Sequence, residues 1–237
     1  MKKLFIAIVT ITSIYGQNIL VEIDKKLNPG SSESYKKLIN IEPNGSKKEF
    51  LLYQARKDND KMVSAFLMPE SEKGRTTLRV GDNMWLYLPD VGKAIRITSM
   101  QSVVGGVFNN SDIMQLDFSV EYTVASEKIS GNTIIVEAKA KTQTVAYDKL
   151  IMSVDKKTIL PTKIECYSST GMLIKTLYYK DIKDFGKGIV RPAVIETDSP
   201  LYKGYKSVMV YGKITPKKFS DEAFTLDNLS KVENLRR

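Results

Sequence analysis

The stretch Asp82–Phe118, DNMWLYLPDVGKAIRITSMQSVVGGVFNNSDIMQLDF, constrains the fold of this chain more than any other. Its first part alternates like a strand, with Trp85 and Tyr87 on one face and Met84, Leu86 and Leu88 on the other. An antiparallel strand with one wet face carries polar residues at every second position. Here both faces are apolar or aromatic, so both must be covered. Two arrangements satisfy this: a central strand packed on two sides, or a sheet with helices on one face and a greasy ligand or lid on the other. The chain turns at Pro89-Asp90-Val91-Gly92 and alternates again through Lys93–Ile97. A Gly-rich, largely uncharged segment follows, pairing Val103-Val104 and Val107-Phe108 around Gly105-Gly106, and then a short amphipathic run. A strand pair followed by such a segment reads as a wall and a flap rather than a catalytic centre.

The N-terminus reads as an export signal. Lys2-Lys3 form a positive region and Leu4–Ile14 an apolar one, with polar Gln17-Asn18 beyond Gly16, so cleavage is expected near Gly16. The apolar run is too short to span ~30 Å of hydrocarbon as a helix. The expected organisation is therefore a signal peptide over residues 1–16 and one domain over residues 17–237, exported to the periplasm. Cys166 is the only cysteine, which rules out an intrachain disulfide. It shares a face with Ile164, the position of a small buried hydrophobe. No histidine occurs anywhere, which removes Ser-His-Asp and Cys-His machinery and argues against a catalytic zinc. No catalytic residue, metal site or cofactor is expected. The net charge of +9 is scattered as Lys-Lys pairs rather than massed in one tract, and reads as solubility rather than nucleic-acid binding.

Gln17–Leu27 carries apolar residues at 19, 20, 23 and 27, a helical spacing stopped by Asn28-Pro29-Gly30. Alternating runs then recur about every ten residues, punctuated by turn signals such as Asn44-Gly45, Asp58-Asn59-Asp60 and Gly131-Asn132. Val120–Ser126 is ambiguous between helix and loop, and Ser220–Val232 reads as a short terminal helix or helical turn. The expected fold class is mainly β (α+β), a curled antiparallel sheet of about eleven strands forming an incomplete β-barrel. Short helices and a flap would close its hydrophobic cavity. Phe50–Tyr53, Met84–Leu88 and Leu150–Met152 are apolar on both sides, as a filled interior requires.

With these residues laid out, the chain resembles the outer-membrane lipoprotein-sorting family, the LolA/LolB-like periplasmic carriers, and within it the larger branch. Members carry D-x-x-W-L-Y-L-P, then basic residues, Arg-Ile and a G-S-D-F-S-like stretch. Here these are Asp82–Pro89, Lys93-Ala94-Ile95-Arg96-Ile97 and Asn110-Ser111-Asp112-Ile113, with Asn110 for the family's Gly and Ile113 for its Phe. The resemblance implies a half β-barrel around a cavity that accepts acyl chains. The function it implies is a non-enzymatic carrier or chaperone, binding the acyl chains of lipoproteins or lipids for transfer towards the outer membrane. An inner-membrane transport complex and an outer-membrane acceptor would be its partners, nucleic acid would not, and it would act as a monomer. The competing reading is a non-enzymatic envelope accessory subunit that docks on a membrane transport complex. Candidate ligand-binding residues are Met84, Trp85, Leu86 and Tyr87 in the wall, of which alternation lets only one set face the ligand. Val103, Val104, Phe108, Ile113, Met114, Leu116 and Phe118 form the candidate lid, hinged at Gly105-Gly106; an ordinary structured loop would carry the same residues. Arg96 is a candidate headgroup or lid contact, or a plain surface arginine. Ser111-Asp112 reads as a helix N-cap pair.

Overall fold

A computed structural model describes residues 13–28 and 30–236, with side chains from Ile19 onward. Residues 1–12, most of the expected signal peptide, lie outside the described residues. The first helix, α1 (Ser13–Leu27), buries Ile19, Leu20, Ile23 and Leu27, the four positions that the spacing marks. Among the described residues, no helix is long and apolar enough to cross a membrane.

Thirteen strands of the described residues form one antiparallel sheet. Its first half is β1 (Ser32–Ile41), β2 (Lys47–Lys57), β3 (Lys61–Met68), β4 (Thr76–Val80), β5 (Asn83–Leu88) and β6 (Lys93–Ile97). Its second half is β7 (Tyr122–Ser130), β8 (Thr133–Ala140), β9 (Lys149–Asp155), β10 (Pro161–Tyr167), β11 (Leu173–Asp184), β12 (Val190–Asp198) and β13 (Lys206–Pro216). The order is β6-β5-β4-β3-β2-β1-β13-β12-β11-β10-β9-β8-β7. Each half is a meander, β1 and β13 pair at the centre, and β6 and β7 are left as two unpaired edges. The sheet is not closed into a barrel. It exceeds the expected eleven strands partly because the segment read as helix or loop is β7, preceded by one helical turn, α3 (Phe118–Glu121). β7 is exposed along most of its length, so it lacks the apolar alternation that marks a half-buried strand.

The two halves are buried differently. β8 and β9 alternate buried and half-exposed positions, Ile134, Val136 and Ala138 against Leu150, Met152 and Val154, so one face meets the core. Ile151, expected to be covered, is half-exposed. In β2 and β3 consecutive residues are buried because both faces are covered. Phe50 and Leu52 join the main core, whereas Tyr53, Ala55, Val63, Ala65 and Leu78 join a second core on the opposite, convex face. That face is covered by the C-terminal 3₁₀ turns, Asp221–Phe224 and Leu226–Arg236, through Ala223, Phe224, Leu229 and Val232.

Trp85 and Tyr87 pack in this second core and Met84 in the main one. The strand is thus packed on two sides by the chain itself. Of the two alternating sets offered for the wall, Trp85 and Tyr87 lie on the convex face and Met84 on the concave one. Trp85 is the only tryptophan, so it reports on this cover. Leu229→Ala should cost about 2–5 kcal/mol by urea denaturation, and Leu229→Asp should shift Trp85 emission to the red in the folded chain. Unchanged emission in Leu229→Asp would place the tryptophan elsewhere.

Candidate functional site

The sequence connects edge β6 to edge β7 through residues 98–121, which therefore run across the concave face. This is the expected flap. Its tip is a tight turn in which Val103 N donates to Phe108 O (3.0 Å) and Gly106 N to Val103 O (3.1 Å). Val104 (φ 45°) and Gly105 (φ 73°) both adopt left-handed backbone, ordinary for glycine and strained for a β-branched residue. Gly106 is needed for another reason: a Cβ there would lie 2.1 Å from Asn40 Oδ1. Asn40 Nδ2 donates to Val104 O (3.2 Å), and Ser207 Oγ donates to Asn40 Oδ1 (2.8 Å) while accepting from Val107 N (2.9 Å). The Gly105-Gly106 pair thus makes a turn latched onto β1 and β13.

Beyond the tip lies a one-turn helix, α2 (Asn110–Ile113). Its N-cap is Asn109 rather than the expected Ser111-Asp112 pair. Asn109 Oδ1 accepts from Asp112 N (3.0 Å), and Asp112 Oδ2 accepts from Asn109 N (2.9 Å), a reciprocal capping box. The flap then sends carbonyls into the concavity, where side chains of the sheet meet them. Gln54 Nε2 donates to Ile113 O, Arg79 Nη1 to Met114 O and Arg56 Nη1 to Gln115 O, each at 2.9 Å. Lys175 Nζ donates to Val107 O (2.5 Å) and pairs with Asp112 Oδ2 (2.7 Å). Tyr147 OH donates to Asp112 Oδ1 (2.8 Å). Arg56 pairs with Asp117 (2.5 Å), and Arg79 pairs with buried Glu121. Asp112 apart, which reads as half of a cap, these polar side chains are not marked in the sequence reading. The available signal was phase: in β2, Phe50, Leu52, Gln54 and Arg56 share one face, so the two polar residues continue an apolar stripe.

The lid residues lie against the sheet. Val103, Phe108, Ile113, Met114, Leu116 and Phe118 are 1–5% exposed and Val104 is half-buried. Of the wall residues, Met84 and Leu86 are buried. Arg96 is exposed on edge strand β6, where it donates to Asn83 Oδ1 (2.5 Å), on the strand and away from the flap. Between flap and sheet is an apolar cavity of about 30 Å³ bordered by Phe108, Phe118, Leu150, Ile164, Leu177 and Met209. That is room for about one or two waters. The interior assigned to a ligand is thus filled by the flap.

Three comparisons bear on this arrangement. A family model described as "-like: Uncharacterized protein" matches residues 58–231. A LolA superfamily protein of Nitrosomonas europaea superposes with a TM-score of 0.81 at 25% identity, over 92% of this chain and 99% of that one. The chain belongs to this LolA-like family. A proposed outer-membrane lipoprotein-sorting protein domain of Vibrio parahaemolyticus shares the fold, with a TM-score of 0.76 at 20% identity, over 91% of this chain and 98% of that one. So does a DUF1329 family protein of Desulfovibrio piger, at 0.74 and 22%, with the same coverage. No curated protein matches.

The LolA-like interior carries unusual electrostatics. Burial raises the Glu121 carboxyl above its ordinary range, and Arg79 opposes this. Asp24 of α1 accepts from Phe118 N (2.7 Å) and Ser119 N (2.8 Å), tying α1 to the end of the flap. Burial pushes its pKa up to about 6; the Ser119 and Phe118 amides pull down, and the Asp117 charge pushes up. The folded chain therefore holds a proton that the unfolded chain has released between about pH 4 and 6. The Asp24 contribution to stability is largest below that window and falls as pH rises through it. A carboxyl-detected NMR titration should give Asp24 a midpoint near 6; a midpoint in the ordinary carboxylate range overturns this. Arg79→Met, which strands Glu121 as a buried unpaired charge, should cost about 3–5 kcal/mol in urea unfolding. Adding Glu121→Leu should restore part of that loss.

Proposed function

We propose that this LolA-like chain is a periplasmic carrier that takes acyl chains of lipoproteins or lipids into the concave face of its sheet when the flap withdraws. Transfer would run towards the outer membrane, with loading and unloading at membrane partners and without catalysis. The observation that carries the reading is the way the flap is held. It plugs an apolar bed through hydrogen bonds from Asn40, Gln54, Arg56 and Arg79 to its carbonyls, contacts that water can replace when the segment lifts. Strain at Val104, kept in place by Asn40, lowers the cost of opening.

Cargo burial supplies the driving force, roughly 0.8 kcal/mol for each CH₂ removed from water. Part of it must repay the lost burial of Phe108, Ile113, Met114, Leu116 and Phe118. The small interior cavity also favours a second reading, a docking subunit of an envelope complex whose interior stays closed.

The two separate on the exported protein isolated from its native periplasm, by native mass spectrometry and organic extraction. The carrier reading expects a co-purifying acylated species. It also expects Asn40→Ala to bind a long-chain fluorescent fatty acid about tenfold more tightly, because removing one or two latch bonds of about 1 kcal/mol raises the open population. A bare mass with no fatty-acid binding by either form overturns it in favour of docking.

A further inference from the structure

A second interior cavity, also of about 30 Å³, lies where β1, β12 and β13 meet. Its walls include Lys36, Arg191, Tyr211, Arg56 and Ser34. Lys36 and Tyr211 are cross-strand partners at the β1–β13 bulge. Lys36 Nζ lies 4.6 Å from the centre of the Tyr211 ring and the Arg191 guanidinium carbon 4.1 Å, so two cations bracket one phenol. Both cations are buried, at 4% and 5% exposure.

What sets them apart is the missing counter-charge. Arg56 has Asp117, Arg79 has Glu121 and Lys175 has Asp112. Among the described residues neither Lys36 nor Arg191 has a carboxylate; Arg191 donates to the carbonyls of Leu27 and Pro192, and both cations hydrogen-bond the Tyr211 hydroxyl. The carboxylate on the cavity wall, Asp112, is held by Lys175, Tyr147 and the Asn109 amide. An unpaired buried cation is costly, and a ligand of opposite sign relieves that cost. The field shows in the titrating groups. Burial lowers the Lys36 ammonium. Burial alone would raise the Tyr211 phenol, but the Arg191 and Lys36 charges together outweigh it and bring it down to about 8.

We propose that this cavity is an oxyanion site that takes a phosphate-class group between Lys36, Arg191 and the hydroxyls of Tyr211 and Ser34. A guanidinium and an ammonium on one wall suit such a group, one as a planar fork and the other as a point charge. The group is either free phosphate or the head of an amphiphile. The layout connects it to the apolar cavity, because Asp112 and Gln115, both on the flap, line the two cavities and stand between them. Withdrawal of the flap would join a cationic end to an apolar end, the shape of a phosphorylated lipid. A phosphate is larger than the one or two waters that fill about 30 Å³, so its entry needs Gln115 of the flap to move aside; joining the two cavities rests on the carrier reading, whereas the oxyanion site does not.

Calorimetry with three probes tests both: inorganic phosphate, a short-chain phosphatidic acid, and the diacylglycerol with the same chains. Wild type should bind the phosphatidic acid about tenfold or more tighter than the diacylglycerol, a difference of about 1.4 kcal/mol. Lys36→Met should abolish the difference without lowering the melting temperature, since it removes an unpaired buried charge, and Lys36→Arg should retain it. Equal binding of both lipids, unchanged in Lys36→Met, overturns the oxyanion site and leaves the carrier standing. Binding of phosphate alone, lost in Lys36→Met, supports the site with free phosphate as its occupant and counts against the carrier. Binding of none of the three overturns both.

Discussion

The rest of the molecule depends on a sheet that does not close. The first meander runs outward from central β1 and the second inward to central β13, so the chain leaves the first half at one edge and enters the second at the other. The only covalent route between β6 and β7 is residues 98–121, and the curl of the sheet makes that route cross the concavity. A connection buried in this way brings unpaired carbonyls and amides into an apolar space, where each would be costly if left unsatisfied. The sheet answers with polar side chains in phase with its core positions. Gln54, Arg56, Arg79 and Lys175 reach up to flap carbonyls, and their charges in turn require Asp117, Glu121 and Asp112, all on or next to the flap. The polar interior follows from the topology.

Much of this was legible in the sequence. The apolar spacing of α1, the alternation of most strands and the apolar flap after the Trp85 hairpin all follow from period and turn chemistry, which act locally. The two-sided apolar strand Asn83–Leu88 was also legible, but its cover was not. Whether Trp85 faces a cavity or a packed segment depends on where residues 219–236 return, over a hundred residues later in the chain, and no local pattern carries that. β7 escaped for the opposite reason, being held by backbone pairing to β8 with little apolar burial of its own. Arg56 and Arg79 carry no local signal of burial, arginine being usually exposed; only the chain order of the sheet brings a backbone past them.

The convex core and the concave core also divide the labour of stability. Tyr53, Leu78, Phe224 and Leu229 close the convex face with apolar packing that gives no reason to open. The concave face combines apolar contact with hydrogen bonds to an irregular segment and ion pairs of partly offset charge. Asp24 extends this set to α1, so the helix and the end of the flap are joined through one carboxylate and two amides. Segments that move are drawn from regions of this second kind, where the lost contacts can be remade with water.

Charge then decides what such an opening would admit. Three of the buried cations beneath the flap are matched by carboxylates that the flap or its end supplies, so lifting the segment would strip Arg56, Arg79 and Lys175 of their partners together. Among the described residues Lys36 and Arg191 have no carboxylate partner even in the closed form. An uncharged cargo would thus enter a space whose positive charge increases on opening, and would have to leave those cations to water. An anionic cargo would neutralise part of it. On the carrier reading this pairing pattern would favour a negative head, because the fold places Asp112, Asp117 and Glu121 on the flap and Arg56, Arg79 and Lys175 on the sheet.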